Sequence, residues 1–139
     1  MFNLKKIDCL SLRSEGFCLT QQNDTEMREI LFKAKRIDNG EWIEGNYIKD
    51  MIGVYILEIE GDFMTKVDCS TVCQYTGLKD KNGVKIFEGD YIITKNGHYK
   101  VIFLAGSFRY ESKLGNHLLW EIHEISEVIG NIHDKPQKP

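Results

Sequence analysis

Proline is almost missing from this chain. Its two prolines, Pro136 and Pro139, both fall among the last four residues. No proline-rich linker or stiff recognition segment is therefore available, and no repeat, flexible linker or low-complexity tract stands in for one. Long apolar runs are missing as well. None approaches the ~18 residues a membrane helix needs, so no membrane association is expected. The N-terminus lacks the continuous apolar core of a signal peptide, which argues against export. Positive charge is not in excess. The 18 Lys and Arg against 21 Asp and Glu leave a formal net charge of −3, whereas a strong nucleic-acid binder carries a basic balance or stripe. The total leaves room for a local patch. Cysteine is sparse. Cys9 and Cys18 are nine apart and Cys69 and Cys73 four apart, so neither pair has the two-residue gap of a zinc knuckle. In a chain that is not exported these thiols are expected reduced and buried or idle, with no metal and no cofactor.

The signatures of catalysis are missing too. There is no Gly-x-Ser-x-Gly elbow. Gly77 to Gly83 is not a phosphate loop, because no Gly-Lys-Ser/Thr follows. None of His98, His117, His123 and His133 sits in a motif with a carboxylate or a nucleophile. Glu88 and Asp90 are an acid pair two apart, but Gly89 between them breaks the regular strand that would align them. Asp90 is instead expected to accept backbone hydrogen bonds and hold a kink. No residue is assigned a catalytic role, and the protein is read as a non-enzyme.

What the chain does have is turn chemistry set between β-type runs. The 139 residues fit one domain, or one domain with a small subdomain. From Gln74 to Thr94, Val72 to Thr76 favours a half-buried strand, Gly77 breaks it, and Asn82-Gly83 is a strong hairpin signal of the type I′ kind. Tyr91 to Thr94 then resumes after the Glu88-Gly89-Asp90 kink. Earlier in the chain, Ile30, Phe32 and Ala34 alternate with Lys33 and Lys35, which predicts a strand over Glu29 to Arg36. Asp38-Asn39-Gly40 turns it into a second strand, Glu41 to Ile48. Val54 to Ile59 and Phe63 to Val67 are the next strands. Asp68-Cys69-Ser70 is a short turn or a single helical turn. Beyond Thr94, Asn96-Gly97 is a second hairpin signal leading into Tyr99 to Leu104. Ala105-Gly106-Ser107 is a break before Phe108 to Glu111. His117 to Ser126 fits a strand or a helical stripe, with the strand preferred. Glu127 to His133, interrupted by Gly130, closes the fold. Trp42 and Trp120 are expected as core or interface anchors.

Tyr75-Thr76-Gly77-Leu78-Lys79-Asp80-Lys81-Asn82-Gly83, followed by Ile86-Phe87-Glu88-Gly89-Asp90, resembles the signature of the YopX family of bacteriophage and prophage proteins. Three flanking pieces are similar to the same family: Met27 to Ala34, Gly40-Glu41-Trp42-Ile43-Glu44-Gly45, and Glu127-Val128-Ile129-Gly130-Asn131-Ile132-His133. The resemblance spans Met27 to about Asp134. It implies a small mainly-β protein with an SH3-like portion and no assigned activity, carried by bacteriophages and prophages; with no export signal, the cytoplasm of the bacterial host is the expected location.

The expected architecture is mainly β, a β-rich α+β fold, with a small antiparallel sheet over 27–70 and an SH3-like barrel over 71–139. Residues 1–26 read as a disordered or loosely attached leader, as a gene-start artefact with Met27 the native initiator, or as an arm that pairs with a neighbouring subunit. The expected partners are a second copy of the chain, as a homo-oligomer, and an unknown phage or host protein. A nucleic-acid strand is the less favoured partner. Its contacts would be Lys79, Lys81, Lys85, Lys95, Tyr99 and Lys100, with charges on phosphates and rings on bases. The opposing reading is a solvated surface with its aromatics turned inward, diluted by Asp80, Glu88 and Asp90.

Overall fold

A computed structural model describes residues 28–58, 61 and 63–134. The readings of the 1–26 leader, with Cys9 and Cys18, lie outside the described residues. Among the described residues eleven strands form: β1 (Phe32–Lys35), β2 (Trp42–Lys49), β3 (Val54–Glu58), β4 (Met64–Lys66), β5 (Cys73–Lys79), β6 (Lys85–Phe87), β7 (Asp90–Thr94), β8 (Gly97–Leu104), β9 (Ser107–Ser112), β10 (Gly115–Leu118) and β11 (Glu127–Asn131). Among the described residues helix is limited to three 3-10 turns, Cys69–Thr71, Leu119–Glu121 and His123–Ile125. No helix among these residues is long and apolar enough to cross a membrane.

The strands make two antiparallel sheets. One has the order β4-β3-β2-β1-β5-β6 and the other β10-β9-β8-β7-β11. Although β5 follows Ser70 in the chain, it pairs with β1 through Phe32–Gln74 and Lys33–Cys73. The chain changes sheets at Glu88-Gly89, the kink the sequence predicts. Gly89 takes φ +87°, its N–H bonds Val101 O, and its carbonyl accepts from Ile132 N, each at 2.9 Å. A side chain here would press on Ile132 and Asn131, so the close approach and the left-handed backbone both require glycine.

Three apolar clusters follow from strand parity. Ala34, Val54, Ile56 and Val67 form one cluster, with Phe32, Ile43 and Val72 packed against it. Leu31, Cys73, Tyr75 and Phe87 form the second cluster, with Trp42 against it. Ile86, Ile92, Val101 and Leu119 form the third, with Tyr99, Phe108 and Tyr110 packed against it.

The closed barrel expected over 71–139 is not formed. Among the described residues, hydrogen bonding in the second sheet stops at β10 on one side and β11 on the other. The stretch joining these edges is a pair of 3-10 turns, whose Leu119 and Ile122 enter the core. Apolar plugging thus replaces the ladder that would close a barrel. The same stretch corrects the strand preference for 117–126: only its first two residues, His117 and Leu118, are strand. A three-residue period points Leu119 and Ile122 inward.

Two turns also differ from expectation. At Asp80–Gly83, Gly83 N bonds Asp80 O at 3.0 Å and only the glycine is left-handed, at φ +80°, so Asn82-Gly83 is not a two-residue type I′ turn. That geometry occurs where a break was expected. Ala105 and Gly106 take φ 55° and 78° between the paired Leu104 and Ser107. Alanine is a poor marker for this turn because its Cβ disfavours the left-handed region.

Candidate functional site

On β1, Ala34 faces the first core, so strand alternation sends Lys33 and Lys35 to the opposite side. That side is not open water. Lys33 Nζ sits 4.6 Å from the Trp42 ring and 4.7 Å from the Phe87 ring. It lies 3.2 Å from Asp90 Oδ1, and the two side chains are 15% and 0% exposed. Asp90 also accepts Phe87 N–H at 2.8 Å and Asn131 Nδ2 at 2.8 Å. Asn131 Oδ1 in turn accepts His133 N–H at 2.9 Å, and Asn131 Nδ2 approaches Cys73 Sγ at 3.8 Å. The end of β11 folds over β1 and β2. Asp134 accepts Asn131 N–H at 2.9 Å and Trp42 Nε1 at 2.8 Å, and Lys35 Nζ donates to the His133 carbonyl. A polar seam, buried at Asp90 and Asn131 and exposed at Asp134, thus joins the first sheet, the corner at Gly89 and the last strand.

Burial pushes the Asp90 carboxyl up, against the opposing pull of Lys33, Asn131 and Phe87 N–H. Burial likewise pushes the Cys73 thiol up to about 11, with the Asn131 contact and Lys33 pulling it back. Cys73 is thus held as a thiol and is not a reactive thiolate. Cys69 is exposed. Among the described residues no three His, Cys, Asp or Glu side chains gather as a metal site requires.

Asp80 makes a second polar clamp. It is 6% exposed and accepts Asn82, Val84 and Val128 N–H at 2.8, 2.9 and 2.9 Å, which ties the β5–β6 tip to β11. Burial works against its charge, but Val128, Val84 and Asn82 N–H and the charge of Lys81 outweigh it and lower its pKa. A depressed folded pKa contributes stability that is complete above the unfolded value, ~3.9, and is lost as pH falls through the folded value. Asp80→Asn is therefore expected to cost about 1–3 kcal/mol near neutrality. Its deficit against wild type should shrink at about pH 3, as read from denaturant midpoints at the two pH values.

The six residues read as a nucleic-acid face fall into separate groups. Lys79 and Lys85 are direct cross-strand partners on β5 and β6. Lys81 and Lys95 line one 610 Å³ cleft together with Glu124 and Glu127. Lys100 pairs with Glu111 at 3.6 Å. Tyr99 packs on Tyr110, ring centroids 4.9 Å apart, against the third core cluster. Trp42 serves the seam, while Trp120 is 65% exposed. Sequence reasoning gave Asp90 its structural role and Trp42 an anchoring one, but missed Lys33, Asn131 and Asp134. The available signal was block membership: the four segments carrying the resemblance supply Lys33, Trp42, Asp90 and Asn131 respectively, and these meet at the seam.

No curated protein matches the chain. The family described as YopX protein matches residues 13–138, a span that includes the seam and starts upstream of the Met27 block. The folded portion and the four converging segments lie within that match, and the chain belongs to the YopX protein family.

Proposed function

We propose that this protein is a phage or prophage accessory factor of the bacterial cytoplasm that works by binding another protein, a second copy of itself first, and not by turning over a substrate. One observation carries this reading. The β7–β8 ladder ends at Tyr91–Lys100, yet β8 continues to Leu104 and turns into β9. The β8–β9 hairpin therefore runs past its neighbour. Its tip presents Phe103 and Leu104, 51% and 46% exposed, with Phe103 edge-on to Phe108 at 5.0 Å. An apolar hairpin end that, beyond the Gly89–Val101 bond, has no β7 partner among the described residues suits strand pairing with another chain, and a closed dimer is the commonest outcome. The second reading, a weak nucleic-acid surface, draws on the adjacency of Lys79 and Lys85. Glu111, Glu124 and Glu127 beside the other lysines count against it.

Light scattering on the full chain tests the choice. A discrete oligomer that Phe103→Asp converts to monomer, with no salt-dependent retention of single-stranded nucleic acid, supports the binding reading. A monomer that captures no partner in a pull-down from host cells contradicts it. Retention weakened by Lys79→Glu and Lys81→Glu would favour the nucleic-acid reading.

A further inference from the structure

The seam places an amine, a carboxamide and a carboxyl group about a single oxygen atom. Asp90 Oδ1 lies 3.2 Å from Lys33 Nζ and 2.8 Å from Asn131 Nδ2. Asp90 and Asn131 are 0% and 5% exposed, and the Trp42 and Phe87 rings wall the amine. We propose that this is a self-crosslinking site: Lys33 and Asn131 join in an intramolecular isopeptide bond, with Asp90 as the catalytic carboxyl.

The chemistry requires a neutral amine, so the Lys33 ammonium first gives a proton to Asp90. Burial raises the Asp90 carboxyl against the pull of Lys33, which favours that transfer. Lys33 Nζ then attacks Asn131 Cγ and forms the new C–N bond. Negative charge develops on Asn131 Oδ1, where His133 N–H already donates at 2.9 Å. That placement is the arrangement of an oxyanion donor. Asp90 delivers its proton to Asn131 Nδ2, the Cγ–Nδ2 bond breaks, and its electron pair leaves on nitrogen. Asp90 takes the proton that Nζ loses as the new amide forms, and the departing ammonia carries it off as ammonium. The net change converts a lysine ammonium and a primary amide into a secondary amide and an ammonium ion. No oxidant, reductant or further reactant enters the balance.

The one oxygen of Asp90 reaches both the attacking and the leaving nitrogen, which is what a carboxyl acting first as base and then as acid must do. Cys73 Sγ, 3.8 Å from Asn131 Nδ2, is the other nucleophile in reach. Its thiol, pushed up to about 11 by burial, stays protonated and leaves the amide to the amine. The bond would tie β1 to β11, one strand from each sheet. This inference concerns a single event within the chain and stands apart from the binding surface proposed above.

Intact-mass spectrometry of the purified full chain reads the bond directly. The expected wild-type mass is below the sequence mass by one ammonia, and a digest yields a branched peptide joining Lys33 to Asn131. Lys33→Arg and Asp90→Asn are expected at their full sequence masses. Asn39-Gly40, Asn82-Gly83 and Asn96-Gly97 lose the same ammonia when an asparagine closes on its own backbone, so peptide fragmentation must locate the loss. A wild-type chain at full sequence mass overturns the proposal. So does ammonia lost only at an Asn-Gly pair, or water lost to a Lys33–Asp90 bond. The wild-type measurement decides the matter whether or not the variants fold.

Discussion

Asp90→Ala is expected to lower the unfolding free energy by about 3–5 kcal/mol, because removing one partner of a buried ion pair leaves the other uncompensated. The effect is large because three donors lose their acceptor together. Lys33 stays between Trp42 and Phe87 with its charge unmatched. Phe87 N–H and Asn131 Nδ2 lose bonds of 2.8 Å each. The corner at Gly89 loses the carboxylate that holds it next to β11. Asp90→Asn keeps an oxygen for Phe87 N–H and should cost less, while still leaving the Lys33 charge unmatched. Urea midpoints of the two variants check the order. A loss below about 1 kcal/mol in Asp90→Ala, the range of an exposed ion pair, would show that the seam contributes little.

Gly45→Ala is expected to be comparably damaging, at about 3 kcal/mol or more, with much of the chain lost as insoluble material. Gly45 lies on β2 between Phe32 of β1 and Glu58 of β3. A Cβ built there stands 2.1 Å from Leu57 O and 2.7 Å from Leu57 C. Both are backbone atoms, so no side chain can swing aside, and the β2–β3 ladder must open. The control is Gly40→Ala. A Cβ at Gly40 meets nothing within 4 Å, but the residue has φ +75°, so the cost is the left-handed strain of about 1–2 kcal/mol. Thermal melts of both variants separate crowding from strain, and equal losses would contradict the close approach at Gly45.

Alternation and glycine placement made most of the strands legible. The alternation of Phe32 and Ala34 with Lys33 and Lys35, and the return after Asn39-Gly40, appear in the fold as read, although the strand is confined to Phe32–Lys35 and Ile30, expected on its apolar face, is exposed. The kink at Glu88-Gly89-Asp90 was legible for the same local reason. The barrel was not. Closure depends on whether β10 and β11 meet, and the sequence of Leu118 to Ile125 supports more than one local structure until Leu119 and Ile122 find a core. The seam was hidden by a default assumption: lysines alternating with apolar residues read as the solvent face. Lys33 breaks that rule because Asp90, which follows it by 57 positions, is buried with it, and no window-based reading links residues so far apart. Tyr99 illustrates the converse. A ring among lysines reads as a stacking platform, but its parity on β8 matches buried Val101 and turns it inward.

Lys33, Asp90 and Asn131 hold the two sheets together. A double-mutant cycle on Lys33→Met and Asp90→Asn tests this most directly, with denaturant unfolding of wild type, both single variants and the pair. Strong coupling is predicted, at least about 1.5–3 kcal/mol, because either single change removes the charge-assisted contact and also forbids the proposed Lys33–Asn131 bond, so the second change adds little. Free-energy losses that simply add, to within about 0.5 kcal/mol, would mean that the two residues act independently and that the sheets are joined by something else.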